Sequence, residues 1–416
     1  MGQECRAVEW PFRCSNGAVF FDWMRRTFDA IAFPMLILVL CSAVAWLGVL
    51  LVPWRPWSTR EQIAPIPESA NGSGHHRKVL AAEVTVLIPA RNEAAVIGQT
   101  LAGLRSQQLP LRVIVIDDQS TDATSQIARE TLDAGCLEIV QGAPLPESWS
   151  GKLWALEQGS QRVNTEFVLL LDADIELLPG ILDVLTAKIV SEKLDLVSVM
   201  AELRMVSTWE KLLVPAFVYF FKLLYPFSLS NNPKSRIAAA AGGCILLRTE
   251  VLRKIGGFAS IRGALIDDCT LARRVKESGG RTWLGLSHEV RSHRPYPDLA
   301  SLWNMVARNA FTQLHYSIAL LALTTALMIL LFWMPLAGLF SASAAVAFVS
   351  LVALLAMMGA YLPSLRFHGR SPLWALALPG IGTLYLLMTW SSAIRYWQGR
   401  RSEWKGRVYT KATAGM

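Results

Sequence analysis

Charge is scarce in this chain. Only 17% of its 416 residues are Asp, Glu, Lys or Arg, against 53% apolar residues. Ordinary soluble domains carry about 25% charged residues. The shortage is concentrated in three runs that hold no charge at all. Ile31 to Val52 is 22 residues long, enough to cross a hydrocarbon core about 30 Å thick. Ser317 to Leu362, at 46 residues, is too long for one span and suits two, with Pro335, Gly338 and Ser341 near the break. Leu373 to Ile394 is a third candidate, interrupted by Pro379, Gly380 and Gly382. Uncharged runs of this length argue against buried helices of a water-soluble core.

Other absences narrow the class further. The six cysteines (Cys5, Cys14, Cys41, Cys136, Cys244, Cys269) show no Cys-x-x-Cys or metal spacing, so they read as scattered buried thiols in a reducing compartment. There is no internal repeat and no long low-complexity tract. The first apolar run has no clear small-x-small cleavage site and exceeds a usual signal h-region, so it reads as an anchor. Met1 to Trp23 is uninformative, and Met24-Arg25-Arg26 could be the biological start. The net charge of +8 is not a nucleic-acid signature. Much of it flanks the apolar runs, at Arg25, Arg26, Arg55, Arg60, Arg395, Arg400, Arg401, Lys405 and Arg407. Such clusters mark cytoplasmic flanks that meet anionic lipid. A membrane partner is expected and a nucleic-acid partner is not.

Arg55 to Lys78 is rich in Pro, Ser, Gly and His and reads as a linker, with His75-His76 part of it rather than a metal site. The soluble portion runs from about Val79 to Tyr316. Strands are expected at Val84 to Pro89, Arg112 to Ile116, Leu137 to Val140 and Phe167 to Leu171. Helices are expected at Glu93 to Ser106, Thr121 to Ala134, Leu153 to Gln161 and Cys269 to Ser278. The alternation predicts a parallel sheet with right-handed crossovers. Ser207 to Ser230 differs, being aromatic and broken by Pro215 and Pro226. It reads as an interfacial segment lying on a bilayer, the alternative being a packed hairpin in the core.

The chemistry gathers at strand ends. Val168 to Leu171 runs into Asp172-Ala173-Asp174, and Val113 to Ile116 into Asp117-Asp118. Open α/β sheets bind ligands at the carboxyl ends of their strands. Asp-x-Asp there places hard oxygen ligands where a divalent cation could bridge a diphosphate, which points to a nucleotide-sugar site. Ile88-Pro89-Ala90-Arg91-Asn92-Glu93 closes the first strand and opens a helix, a position that favours anions. Asp117 to Asp122 reads either as a capping cluster, with Asp122 the N-cap, or as the place where Asp118 meets a base or ribose. Asp267-Asp268 reads as an N-cap pair for the Cys269 to Ser278 helix.

Ile88 to Glu93, Val115 to Asp122, Gly151-Lys152-Leu153-Trp154-Ala155 and Asp172-Ala173-Asp174 fall in order over about 90 residues. In that order and spacing they resemble family 2 glycosyltransferases of GT-A fold. Ala240-Ala241-Gly242-Gly243-Cys244 is similar to that family's glycine-rich acceptor-side strand, and Ile266-Asp267-Asp268 to its second acidic motif. Ala264 to Cys269, Arg294-Pro295-Tyr296 and Trp303 to Arg308 resemble the hopene-associated glycosyltransferase group. With the apolar runs, that likeness spans nearly the whole chain.

The resemblance implies an α/β GT-A domain, Rossmann-like with a mostly parallel sheet, at 79–316, with transmembrane helices at both ends. A 1–30 extension, a 31–52 anchor, a 53–78 linker, a 207–230 interfacial segment, a 317–394 membrane region and a basic 395–416 tail complete the layout. Pro89, Ala90, Glu93 and Asp118 would line the nucleotide pocket, and Lys152 would approach the base or phosphate. Gly243 and Asp267 would stand on the nucleotide-sugar side. Asp172 and Asp174 would hold Mg2+ or Mn2+ against the diphosphate, Asp174 the more directly. Asp268 would be the general base of an inverting transfer from a nucleotide-diphosphate sugar, a UDP-sugar being the first choice, to a lipid hydroxyl. A hopanoid or other polyisoprenoid acceptor is implied; the alternatives are a glycerolipid, a ceramide, a polyprenyl phosphate, or a non-catalytic membrane scaffold. The Gln-x-x-Arg-Trp motif of processive members is missing, which favours single transfer and leaves Arg308 or Arg294 as the phosphate-side cation.

Nucleotide sugars are cytoplasmic, so the layout expected is that of a multi-pass protein of a bacterial inner membrane with its catalytic domain inside and its amino-terminus outside. A fourth span would put the basic tail outside, against the positive-inside rule. Leu373 to Ile394 is therefore expected to be a re-entrant or interfacial hairpin broken at Pro379-Gly380.

Overall fold

Apolar runs buried on both faces build the centre of this protein. All seven residues of strand β1 (Val84–Ala90) are buried. The computed structural model describes residues 16–65, 83–107 and 109–399, together with 402–404 and 407–409. His75-His76, Met1 to Ser15 and most of the basic tail lie outside the described residues.

The chain opens with helix α1 (Asn16–Leu51), one helix that joins part of the expected extension to the anchor. The alternating region follows as β1, α2 (Ile97–Arg105), β2 (Leu111–Asp117), α3 (Thr124–Thr131), β3 (Leu137–Gln141), α4 (Gly151–Ser160) and β4 (Phe167–Leu171). Then come β5 (Ile175–Leu177), α5 (Ile181–Ser191), β6 (Leu196–Glu202), α6 (Thr208–Leu224), α7 (Phe227–Ser230), β7 (Cys244–Arg248), α8 (Thr249–Lys254), α9 (Asp267–Glu277) and β8 (Thr282–Ser292). The remainder is helical: α10 (Leu299–Ala307), α11 (Ala310–Gln313), α12 (Ile318–Met328), α13 (Met334–Gly338), α14 (Ala344–Phe367) and α15 (Leu378–Trp397), before a short hairpin of β9 (Ser402–Trp404) and β10 (Arg407–Tyr409).

The main sheet has eight strands in the order β3-β2-β1-β4-β7-β6-β8-β5. Its side chains alternate between two cores. Val84, Val86 and Ile88 face one core with Ile97, Leu101 and Leu185. Leu87, Ile114, Ile116 and Leu170 face the other with Leu153, Phe258 and Leu271. Strands covered on both faces need near-continuous apolar sequence, and each fully buried aliphatic contributes about 1.5–3 kcal/mol.

The pairing is parallel among β1, β2, β3 and β4. It is not parallel throughout. β7 runs against β4 and β6, and β5 against β8. The chain leaves β6, passes through α6 and α7, and re-enters the sheet from the same end, so β7 must run back.

Among the described residues, four helical segments are long and apolar enough to cross a membrane: Ala32–Leu51, Ile318–Gly338, Ala344–Phe367 and Pro372–Trp397. Phe340, Phe348 and Leu373 stand 89%, 66% and 73% exposed, as lipid-facing side chains do. The expected pair of spans in 317–362 is present, with its break just after Gly338.

The chain divides into two compact units. One takes the residues up to Gly48 with Ala326–Met357; the other takes Val49–Thr325 with Met358 onwards. In the first, Pro335 explains a local feature. A proline inside a helix releases the carbonyl four residues earlier. That carbonyl, Leu331 O, accepts from Trp46 Nε1 at 2.9 Å and Ser42 Oγ at 3.2 Å. The turn at 329–333 widens to a π-helix.

In the second unit three expectations are corrected. Leu373 to Ile394 is not a hairpin. A 3-10 turn (Pro372–Ala377) leads straight into α15, and Pro379 sits in its first turn, where a missing N–H costs nothing. Ser207 to Ser230 is not broken at Pro215, which lies inside a continuous α6; Pro226 does separate α6 from α7. Finally, Arg55 to Lys78 is not all linker. Ile63 N donates to Leu286 O, and Leu286 N to Glu61 O, at 3.0 and 2.8 Å. Glu61 Oε2 lies 3.5 Å from the buried Lys222 Nζ, which also stands 3.5 Å over the Phe227 ring. Removing one partner of such a buried pair costs about 3–5 kcal/mol.

Helix α15 docks on α6, which lies between β6 and β7, and on α10 and α11, which follow the sheet. Tyr385 Oη donates to Leu213 O of α6 at 2.9 Å, Phe311 N of α11 to Ser392 Oγ at 3.1 Å, and Arg395 Nη2 to Asn304 Oδ1 of α10 at 2.7 Å. Tyr396 stacks on Tyr316 at 4.3 Å. A reporter fused after Met416 is therefore expected to be active on the same side of the membrane as one inserted in the loop after Gly279. Opposite readings would show that α15 crosses.

Candidate functional site

The carboxyl end of β4 carries the acidic centre. Asp172 N donates to Gly243 O at 3.0 Å, which fixes Asp172 against the turn that leads into β7. Lys152, in the first turn of α4, reaches across. Its Nζ lies 2.7 Å from Asp172 Oδ1, 3.5 Å from Asp267 Oδ2 and 3.4 Å from Gly242 O. Ser150 caps that helix through Leu153 N and so aims Lys152.

Asp267 and Asp268 open α9. Asp268 Oδ1 accepts from its neighbour Cys269 N at 2.7 Å, but the N-cap of α9 is Ile266 and no side chain caps the helix, so Asp267 and Asp268 occupy its first turn rather than forming the expected capping pair. The Asp268 carboxyl is pushed up to about 7, first by burial and then by the charge of Asp267; Lys152 and the Cys269 and Gly242 amides oppose this. Burial works against the Lys152 charge, but Asp172 and Asp267 outweigh it and hold the ammonium protonated. Asp172 is raised by burial although Lys152 pulls the other way. Gly242 is needed here. A Cβ on it would stand 3.1 Å from Asp268 Oδ2 and 3.4 Å from Lys152 Nζ.

A second cluster holds Asp174. Arg294 Nη2 lies 2.9 Å from both Asp174 Oδ1 and Glu93 Oε1, and Ser292 Oγ donates to Asp174 Oδ2 at 2.6 Å. Asp174 stays ionised below the usual carboxylate range: burial would raise it, but Arg294 and the two hydrogen bonds win. Of the two aspartates expected to meet a metal, Asp172 is the more open, its side chain 33% exposed against 9% for Asp174. Tyr296 links the clusters. Burial raises its phenol, and Arg294, Asp174, Arg308 and Asp172 all act on it. Arg308 thus reaches the site's field, while Arg294 supplies its direct ion pairs.

The first two strand ends are tied together by their own loops. Asp118 N donates to Ala90 O at 2.8 Å, and Arg91 Nη1 to Asp118 O at 2.5 Å. Asp118 is buried beside Pro89 and Ala90, but the Ala90 side chain belongs to the core, so Ala90 contributes through its backbone. Asp117 is a turn residue, accepting from Ser120 N at 2.8 Å and from Ser125 Oγ. Helix α3 starts at Thr124 with Ala123 at its N-cap, not Asp122. Asp122 instead accepts from Thr124 N and Ala94 N, at 3.0 and 3.1 Å, and clamps the two loops. Gly243 likewise serves through its carbonyl, and the glycine facing Asp268 and Lys152 is Gly242.

Glu210 escaped notice in the sequence. Its carboxylate accepts from Val206 N, Ser207 N and Tyr296 N at 2.8, 2.8 and 2.7 Å, while Ser207 Oγ returns a bond to Tyr296 O. It thereby joins the start of α6 to the segment carrying Arg294. Ser207-x-x-Glu210 is a capping-box spacing, and that signal was available.

Residues 85–256 match the sequence model of glycosyl transferase family 2. Over 95 residues the chain is 39% identical to a 4,4'-diaponeurosporenoate glycosyltransferase of Staphylococcus aureus, covering 23% of this chain and 24% of that protein. The chain thus spans about a quarter of the length of the curated relatives it matches. A mannosyltransferase from Pyrobaculum calidifontis, solved in complex with GDP-Man and Mn2+, shares the fold, with a TM-score of 0.53 and 19% identity over 88% of this chain and 99% of that one. A glucosyl-3-phosphoglycerate synthase of Mycobacterium tuberculosis overlaps 58% of this chain and 85% of its own, at TM-score 0.38 and 19% identity.

Two substitutions probe this geometry. Glu210→Ala removes three amide bonds to one carboxylate, with an expected cost of about 3 kcal/mol read from thermal unfolding in detergent. Burial opposes the Glu210 charge, but the amides hold its carboxyl below the usual range. The stabilisation is therefore full above the unfolded pKa near 4.5 and fades as pH falls through the lower folded value. Gly242→Ala is expected to leave unfolding within a few degrees of the parent while displacing Asp268 and Lys152, cutting turnover at least ~10-fold. Full turnover in that variant would show that the close approach is incidental.

Proposed function

We propose, from the premise that residues 85–256 form a glycosyltransferase family 2 domain, that this chain is a membrane-bound inverting glycosyltransferase. It moves one sugar from a nucleotide-diphosphate sugar, first a UDP-sugar, to a hydroxyl of an apolar lipid, first a hopanoid or other polyisoprenoid. The catalytic domain faces the bacterial cytoplasm, where the donor is made. One observation carries the reading: Lys152, Asp172, Asp267 and Asp268 converge at the carboxyl end of β4, with Asp268 poised near pH 7.

The chemistry follows from those groups. Asp268 accepts the proton of the acceptor hydroxyl as the oxygen bonds to the anomeric carbon. The bond from that carbon to the diphosphate oxygen breaks, and its electron pair leaves with the nucleotide. Lys152 and Arg308 would supply the cationic charge that stabilises the leaving diphosphate. Glu93 holds Arg294, Arg294 holds Asp174, and Asp118 stands buried at the end of β2 for the nucleoside.

The carboxylates of Asp172 and Asp174 fit a hard divalent cation by donor type. Among the described residues no group of three His, Cys, Asp or Glu stands ready for a metal. Mg2+ or Mn2+ would therefore be held by Asp172 and Asp174 together with diphosphate and water oxygens, Arg294 being the competitor for Asp174. When bound, such an ion neutralises charge on the leaving diphosphate.

The relative named for a carotenoid-like acid raises a second reading, in which the acceptor is a carboxylate. A carboxylate needs no base. Asp268→Asn separates the two, since it would stop transfer to a hydroxyl and spare transfer to an acid.

Purified protein would be given a panel of UDP- and GDP-sugars with Mn2+ and a bacterial lipid extract. Nucleotide release from one donor, dependent on lipid and lost in Asp268→Asn, is the expected result. Activity should fall as pH drops below about 7, because the ionised Asp268 is the active form. The stability sign is opposite. A folded pKa raised above the unfolded value stabilises at low pH and loses that contribution as pH rises through 7, so Asp268→Asn should unfold at a higher Tm than the parent at pH 8. Lipid-independent release or an unaffected Asp268→Asn would defeat the proposal.

A further inference from the structure

Three aromatic side chains share one face of α6. Phe217, Phe221 and Tyr225 recur at intervals of four residues, the spacing of neighbours along a helix. Each is partly exposed. All three pack on a small core that includes Met200, Phe227, Cys269 and Leu284, with Ala241 and Ile266 at its margin. Cys269 directly follows Asp268, and Ala241 directly precedes Gly242, whose amide bonds to the Asp268 carboxylate. The stripe therefore shares its core with the residues that flank the proposed base. The charge of Asp268 is felt at the Tyr225 phenol, which burial above all pushes up to about 12.

Tyr225 Oη donates to Gln313 Oε1 of α11 at 2.7 Å. Neither side chain belongs to the clusters that hold Asp172 and Asp174. The pair is polar, neutral and partly open. With the phenol proton given to Gln313, the phenol oxygen keeps lone pairs to accept with, and the Gln313 amide keeps N–H groups to donate. A hydroxyl both donates and accepts, and this pair answers both. A carboxylate only accepts, and here it would face the like charges of Asp267 and Asp268.

We infer that Tyr225 and Gln313 form the acceptor subsite, binding the hydroxyl end of an isoprenoid alcohol whose apolar chain lies along Phe221 and Phe217. The subsite selects the alcohol over the carboxylic acid of the same chain. This rests on the lipid-transferase reading above. Tyr225 and Gln313 are positioning residues, since Asp268 takes the proton.

The test has a kinetic and a labelling arm. With the donor identified, geranylgeraniol and geranylgeranoic acid are compared as acceptors for the full chain in detergent. The alcohol is expected to be preferred. Tyr225→Phe and Gln313→Leu should each raise its KM by ~10-fold, the size of one lost hydrogen bond between neutral groups. Affinity for the nucleoside diphosphate, measured by calorimetry, should hold in both variants. In the second arm, geranylgeraniol bearing a diazirine beside the hydroxyl is photolysed with the protein, and labelled peptides are read by mass spectrometry. Label on the peptides containing Tyr225 and Gln313, reduced by excess unlabelled alcohol, is expected even without a sugar donor. Label at those peptides with no transfer from any donor would keep the subsite and sink the transferase reading. Label elsewhere or none, unchanged KM in both variants, equal use of the acid, or a parallel loss of nucleotide affinity would each overturn the inference.

Discussion

Four carboxylates crowd the carboxyl end of the central sheet, and two cations hold them there. Lys152 neutralises Asp172 and Asp267, and Arg294 neutralises Asp174 and Glu93. Without Arg294, Asp174 and Glu93 would stand as buried unpaired charges, each at a cost of about 3–5 kcal/mol. The cations come from α4 and from the segment after β8, far apart in the chain. Their side chains reach the same place because parallel pairing of β1, β2 and β4 brings the strand ends to one edge. Asp268 is the exception that the arrangement tolerates. Burial and the charge of Asp267 outweigh Lys152, its pKa climbs to about 7, and on the proposed reading it would serve as the base.

The same site touches the apolar side of the protein through one carboxylate. Glu210 caps α6 and holds the backbone of Tyr296, so the helix with the aromatic stripe and the segment with Arg294 are bound as a unit. Helix α15 then docks on α6, α10 and α11 through Tyr385, Ser392 and Arg395. An apolar acceptor approaching along α6 would thus arrive at Asp268 while the donor is held at the strand ends. On the proposed reading the labour divides by chemistry: charges would meet the diphosphate, and aromatic and amide groups the lipid.

Much of this was legible because it is local. The runs at Val84, Val113 and Phe167 declare buried strands, and Asp117-Asp118 and Asp172 to Asp174 mark their ends. The uncharged stretches at 31–52 and 317–362 declare helices for lipid, since a bilayer core excludes charge. Pro379 misled, because a proline that looks like a break in an apolar run is harmless in a first turn, and only the 3-10 turn before it shows where that turn begins. Pro215 misled in the same way, its helix surviving because Leu213, Val214, Tyr219 and Lys222 are buried around it.

The sequence by itself determined strands β1 to β4, the carboxylates at the ends of β2 and β4, and the apolar runs at 31–52 and 317–362, because apolar patterning and local charge act over a few residues. Tertiary structure alone decided which cation answers which carboxylate. Arg294 meets Asp174 across 120 positions, Gln313 meets Tyr225 across 88, and Gly242 rather than Gly243 faces Asp268. Such partners are chosen by how strands stack and helices dock, and no periodicity in the chain records that choice.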